Sequence, residues 1–386
     1  MTQRQLFLNH IAQTTPAPLM LEIARAKGVF MFDTEGKQYI DLISGISVSN
    51  VGHCHPKVVE AIQKQSETFM HLMVYGEYIY SPQVLLAQEL LTILPTTLDN
   101  FYFTNSGTEA VEGALKLAKR STGRYEIISF HNAYHGSTAG AMSIMGSETY
   151  KMSYRPLIPG HSLIHYNTES ELEKITTQTA AVVVEMVQAE AGIIPGNIDF
   201  IQKLKLKCEE VGALLIVDEI QTGCGRTGCF FAFEHYGVVP DILLIGKGFG
   251  GGMPIAAFIA NKDLMAQLSH NPILGHISTF GGNAVCCAAA LATIKVIKDE
   301  ISMTDVEAKG AYLQEKLELK GYKKIRRKGL MMSIDFESQE KNFEAVAAFI
   351  KKGIITDWFL FNTHCMRICP PLNISYEELD WALEKF

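Results

Sequence analysis

Seven short runs rich in β-branched and aromatic residues punctuate the middle of the chain: NFYFT (100–104), YEIISF (125–130), LIHY (163–166), AVVVEM (181–186), ALLIVDE (213–219), DILLIG (241–246) and IAAFIA (255–260). Each is short for a helix, and most are apolar at consecutive positions, as strands buried on both faces require. The text between them is amphipathic at helical spacing. Strands alternating with helices predict an α/β fold built on a mainly parallel sheet. The stretch SGTEAVEGALKLAKRST (106–122) has a capping-type start, Glu109 in its first turn and basic residues in its last, which suits a helix dipole. Its N-terminus faces whatever lies beyond FYFT.

After Gly282 the pattern changes to long helices (284–299 and 303–320), then LMMSIDF, a further helix and CMRICPPL. That tail predicts a smaller α+β unit. The opening segment holds a hairpin-like GVFMFDTEGKQYIDLIS (28–44) with no core of its own, expected to pack onto the tail. The expected division is an N-terminal segment (1–45), a large domain (46–283) and a small C-terminal domain (284–386), which suits a chain of 386 residues.

A net charge of -7 argues against nucleic-acid binding. Apolar runs such as AAVVVEMV (180–187) are too short to cross a bilayer, and the start MTQRQLFLNHIAQTTP lacks the apolar core of a signal peptide, so a cytoplasmic chain with no membrane partner is expected. Eight cysteines include no C-x-x-C, and the adjacent Cys286 and Cys287 fall in an alanine-rich helical stretch, which points to reduced thiols.

In open α/β sheets, ligands bind beyond the carboxyl ends of the strands. Asp218 ends one strand candidate, Glu185, Gln188 and Glu190 end another, and Lys247 follows a third. Taken singly, each has a structural explanation as a cap or a solvated strand end. Lys247 is followed by Gly248 rather than Ser or Thr, which excludes a P-loop. Gly246, Gly248 and Gly251 spell G-x-G-x-x-G, but MPIAAFIA reads as β-structure where a dinucleotide fingerprint opens a helix, which argues against a nucleotide-binding oxidoreductase. One lysine, an acid on a neighbouring strand end and a glycine-led helix N-terminus for an anion form the set that pyridoxal phosphate requires. His131 and His135 have the four-residue spacing of metal ligands on one helix face, but no third ligand lies nearby in sequence, and no metal is expected.

FTNSGTEAVEGALKLAKR, VVVEMVQAEAGI, LLIVDEIQTGCGRTG, PDILLIGKGFGGGMPIAA, STFGGN and MRICPPL occur in the order and at the spacing of class III pyridoxal-phosphate aminotransferases, and the chain resembles that family over essentially its whole length. LEIARAKGVFMFDTEGKQYIDLISGISVSNVGHCHPKVVEAI resembles the acetylornithine and ornithine subgroup. The resemblance implies the three-layer fold of type I pyridoxal-phosphate enzymes and a transaminase that moves an amino group from a terminal amine, or an amino acid of the ornithine type, to 2-oxoglutarate or pyruvate. An ω-amine or alanine-type transaminase using pyruvate or glyoxylate is the alternative, and relatives of the family also decarboxylate or isomerise.

The same resemblance implies the roles. Lys247 carries the cofactor and then moves the substrate proton, Asp218 pairs with the pyridine nitrogen, and Gln221 lies near the phenolic oxygen. Tyr134 stacks on the ring, Gly107 and Thr108 bind phosphate through the helix start, and Glu185 is the substitute candidate for the acid. Thr279 completes the phosphate site from the partner subunit, making a homodimer the minimal active unit. Arg367 binds a substrate carboxylate, and Glu190 neutralises it until that carboxylate arrives. Ser137 departs from the pattern: relatives carry arginine there, so a second carboxylate loses its bidentate partner. Arg155 in KMSYRPLIPG is the candidate replacement if its loop folds back.

Overall fold

The computed structural model describes residues 1–386. Its centre is a seven-stranded sheet in the spatial order Asn100–Thr104, Ala256–Ala260, Ile242–Ile245, Leu214–Asp218, Thr179–Val184, Glu126–Phe130, His161–Ile164. Ala256–Ala260 runs antiparallel to both neighbours, and the remaining pairings are parallel. The exception has a simple cause. Between Ile245 and Ala256 the chain holds a turn and no crossover helix, and so short a connection returns a strand antiparallel.

Alternation within the apolar runs sorts side chains to two cores. Ala181, Val183, Ile216, Leu244 and Phe258 face the helix Gly107–Thr122, which presents Ala110, Val111, Ala114 and Leu117. Val182, Val184, Leu215, Val217 and Leu243 face the other way, where the helix Ile198–Val211 presents Phe200, Ile201 and Leu204. The result is three layers, helix on sheet on helix. The strand expected at 163–166 lies instead at His161–Ile164, because pairing with Ile127–Phe130 sets its register.

The C-terminal part forms a four-stranded antiparallel sheet from Ile325–Lys328, Met331–Asp335, Asp357–Phe359 and Asn362–Ile368. The N-terminal strands Ile23–Lys27, Phe30–Asp33 and Gln38–Asp41 make a meander whose last strand pairs with Ile354–Ile355 of the tail. All eight cysteines are unpaired. No helix is long and apolar enough to cross a membrane.

The helix Gly107–Thr122 begins at Ser106, whose hydroxyl accepts a hydrogen bond from the Glu109 amide, and ends at Gly123 with φ +68°. It lies so close to the sheet that a Cβ on Gly113 would stand 2.3 Å from Cε1 of the buried Phe258. Gly113→Val must therefore push the helix off the sheet, with an expected loss of about 2 kcal/mol in urea unfolding. An unchanged unfolding midpoint would show that this contact can relax.

Candidate active site

A cavity of about 270 Å³ opens beyond the carboxyl ends of the parallel strands, lined by Gly107, Thr108, Tyr134, Ser137, Glu185, Asp218, Gln221 and Lys247 among others. Asp218 is the last residue of its strand, and Lys247 follows the neighbouring one. Lys247 takes φ +47°, a conformation sparsely populated by side-chain-bearing residues, so the surrounding turn holds it under strain. Gly248, next to it, packs against Asn50, and a Cβ there would lie 2.4 Å from Asn50 Nδ2. Burial lowers the Lys247 pKa; Glu190 opposes that shift and Arg367 adds to it.

Asp218 is buried and doubly held. Its Oδ1 accepts from the Ile220 amide at 3.0 Å, and its Oδ2 lies 2.7 Å from His135 Nδ1. Burial disfavours the His135 cation, yet the bond to Asp218 together with the charges of Asp218 and Glu185 holds the imidazole above its usual pKa. The partnership of His135 with Asp218 is absent from the sequence reading. It depends on a loop: residues 131–138 are not helical, so His131 and His135 share no helix face, and His131 stacks on His165 with ring centroids 4.4 Å apart.

Glu185 accepts from the Tyr134 and Ala189 amides at 3.1 and 3.2 Å, and burial pushes its carboxyl up to about 7. Tyr134 Oη and Ser137 Oγ lie 3.2 Å apart, so the serine is engaged with the neighbouring tyrosine. Glu190 and Arg367 form a buried ion pair, with Arg367 Nη2 donating to both carboxylate oxygens at 2.8 and 3.1 Å. Gln221 Nε2 reaches Glu190 Oε1 at 3.4 Å, joining the pair to the cavity lining. Thr279 is not among the lining residues: it is exposed, 3.5 Å from the Tyr75 hydroxyl. Arg155 is also absent from the lining and is paired with Glu148 at 2.6 Å.

Residues 11–386 match the family model for class-III aminotransferases. The chain belongs to that family. It is 39% identical to an acetylornithine aminotransferase of Methanocaldococcus jannaschii, covering 94% of this chain and 91% of the relative. It is 41% identical to a [LysW]-aminoadipate semialdehyde/glutamate semialdehyde transaminase of Sulfurisphaera tokodaii, over 82% and 81% of the two chains. An ornithine aminotransferase from Toxoplasma gondii, with PLP at its active site, superposes with a TM-score of 0.92 at 30% identity, covering 99% of this chain and 91% of that one. The chain therefore has the type I fold and is a pyridoxal-phosphate-dependent aminotransferase.

The cavity suits that group. Lys247 offers a buried amine whose charge is disfavoured. Gly107 and Thr108, at the start of the helix, line the cavity and offer it a helix N-terminus for an anion, and Gly136 packs so closely on Thr108 that a Cβ would stand 2.3 Å from Oγ1. Gln221 Oε1 and His135 Nε2 are buried polar atoms with no partner in the protein.

Replacing His135 with Ala leaves Asp218 buried with one backbone donor. The expected loss is about 2 kcal/mol in urea unfolding of the cofactor-free protein, together with weaker pyridoxal phosphate binding in a spectral titration. Unchanged values in both measurements would make the histidine a bystander.

Proposed function

We propose that the enzyme transfers the terminal amino group of an ω-amine or ornithine-type donor to a 2-oxo acid bearing a single carboxylate, with pyruvate or glyoxylate as the acceptor. The observation that carries this reading is the buried Glu190–Arg367 pair beside a cavity whose lining holds Lys247 as its one lysine or arginine. Glu190 covers Arg367 while a carboxylate-free amine end occupies the reacting position, and it moves aside for an oxo acid. Ser137 and Arg155 are each engaged elsewhere, which leaves a second substrate carboxylate without a cationic partner.

The cofactor, when bound, supplies an electron sink for the substrate carbon. Lys247 would hold it and, when free, could take a proton from the substrate carbon and return one, which needs a neutral amine; burial and the nearby Arg367 both favour that form. Asp218, oriented by His135, keeps a positive charge on the pyridine nitrogen. The amides of Gly107 and Thr108 would hold the phosphate at the helix start, Tyr134 would cover the ring and Gln221 would serve the phenolic oxygen, with Glu185 also in the lining.

The working unit on this reading is a homodimer in the cytoplasm, with Thr279 of one copy completing the phosphate site of the other. Met70, Ile79, Ile273, Ile277 and Phe280 are exposed, and the two segments that carry them meet where His71 packs on Phe280. So large an apolar surface suits burial against a second copy.

Lys247→Ala is expected to fold and to lose turnover, with borohydride labelling Lys247 in the parent enzyme; a label on Lys262 would reassign the cofactor lysine. Asp218→Asn should be the next most damaging change, because a neutral amide cannot hold the ring proton by charge.

An acceptor panel tests the substrate reading. Pyruvate or glyoxylate should be preferred, and Arg367→Ala should lose about 2 kcal/mol or more in kcat/KM for either. A strong preference for 2-oxoglutarate, abolished by Arg155→Ala, would instead establish a relocated anchor.

A further inference from the structure

Arg367 faces two carboxylates. Besides Glu190, the Asp357 Oδ1 lies 3.3 Å from its Nε. The position of Asp357 follows from the backbone: in the antiparallel pairing of Asp357–Phe359 with Asn362–Ile368, Asp357 stands directly opposite Arg367. The contact is one of charge, since neither Asp357 Oδ1 nor Arg367 Nε makes a hydrogen bond, and Nη1 of the arginine is unpartnered as well. Arg367 and Glu190 are buried and the Asp357 side chain is 22% exposed, so one cation is shared by two carboxylates of unequal exposure.

The two acids differ in freedom. Glu190 is a long side chain in the turn after Val187–Gln188, held by Arg367, the Leu360 amide and Gln221. It can rotate away while its backbone stays fixed. Asp357 has a short side chain on a paired strand, and its carboxylate stays beside the guanidinium.

We propose that Asp357 is a specificity-determining residue: it stays beside Arg367 after Glu190 has moved and, while ionised, weakens the grip of that arginine on a substrate carboxylate, favouring donors without a carboxylate next to the amine. This rests on the reading of Arg367 as the carboxylate clamp. An incoming carboxylate then meets a half-neutralised cation and a neighbouring anion. Protonation of Asp357 removes both effects.

The charged and titratable groups facing Asp357 are Arg367 and Cys369 on or beside its partner strand, Glu190 across the interface and Asp41 at the end of Gln38–Asp41. Burial pushes its carboxyl up to about 6, with Arg367 opposing and the two acids adding. It is therefore neutral below that value and anionic above it. Carboxylate binding should weaken as pH rises through about 6.

A supporting role for Asp357, orienting Arg367 by charge, predicts the opposite sign for its removal. The test compares parent, Asp357→Asn, Asp357→Ser and Arg367→Ala holoenzymes, with cofactor loading and circular dichroism as checks of fold. It measures the pyruvate KM in the acceptor half-reaction, and the Kd of unreactive propionate from the cofactor absorbance, on both sides of the Asp357 transition. At about pH 8, Asp357→Asn should lower both constants about tenfold, more than it changes kcat, and should abolish the parent's gain in affinity on acidification. If Asp357→Asn misfolds, Asp357→Ser and the parent's own pH dependence carry the test. Constants that are unchanged or raised by Asp357→Asn, with Arg367→Ala raising them at least about tenfold, would overturn the proposal and leave the clamp standing. Constants indifferent to Arg367→Ala would overturn the clamp itself, and the proposal with it.

Discussion

A guanidinium taken out of water with no carboxylate to receive it holds three parts of this chain together. Arg226 is fully buried, and its donors go to Asn50 Oδ1 at 2.6 Å and to the carbonyls of Leu330 and Pro370. Burial lowers its pKa to about 10, so it remains charged and must keep those acceptors. Two acceptors border paired strands of the C-terminal sheet, Leu330 before Met331–Asp335 and Pro370 just beyond the strand of Arg367, and the third, Asn50, comes from the N-terminal part of the chain. Asn50 also donates to the Cys224 carbonyl and packs against Gly248. The strained turn of Lys247 and the strand of Arg367 are thus tied to one cation. Two active-site charges that come from separate sheets gain a common reference point.

Those features of fold and site that depend on local pattern were legible in the sequence. Apolar runs with both faces buried announce themselves as strands, and the capping start at Ser106, Glu109 in the first turn and the basic last turn mark a helix by capping and dipole chemistry alone. Asp218, Glu185, Glu190 and Lys247 could be gathered because a parallel sheet sends every strand end to one side. What escaped depends on three-dimensional pairing. His135 reaches Asp218 across 83 positions through an irregular loop, and its four-residue spacing from His131 imitates a helix that does not form. The apolar run at Ala256–Ala260 reads alike in either direction, and only the short connection from Ile245 carries the signal that it returns antiparallel. Asp357 and Arg226 sit among ordinary residues, and nothing in their spacing reveals what lies across from them.

Arg155 shows the same limit from the other side. Its position downstream of Ser137 invites compensation, since a lost arginine and a nearby one look like an exchange. Glu148 decides otherwise: bonded to Arg155 at 2.6 Å and to Lys151 at 3.0 Å, it is held down to about 2 by these two cations. Lys151 itself is buried, and the same segment packs on the loop beside the site, where the Tyr150 hydroxyl donates to the Leu360 carbonyl at 2.9 Å and its ring meets Phe361. Ser137, meanwhile, is occupied by Tyr134. On the proposed reading the departure from the family pattern is uncompensated, and a second substrate carboxylate meets no cation there.

The near end is governed by competition around two cations. Glu190 raises the Lys247 pKa while Arg367 lowers it, and the same two residues bind one another. Moving Glu190 away thus does two things on the proposed reading: it exposes Arg367 to a carboxylate, and it removes a charge that keeps the lysine amine protonated. A substrate carboxylate arriving at Arg367 brings a negative charge back, next to the guanidinium rather than at the position Glu190 held. Asp357 sets the baseline for this exchange, because it stays near Arg367 in both arrangements. On the proposed reading, substrate choice and the readiness of Lys247 to accept a proton are consequently coupled through Glu190, whose charge acts on both the lysine and the guanidinium.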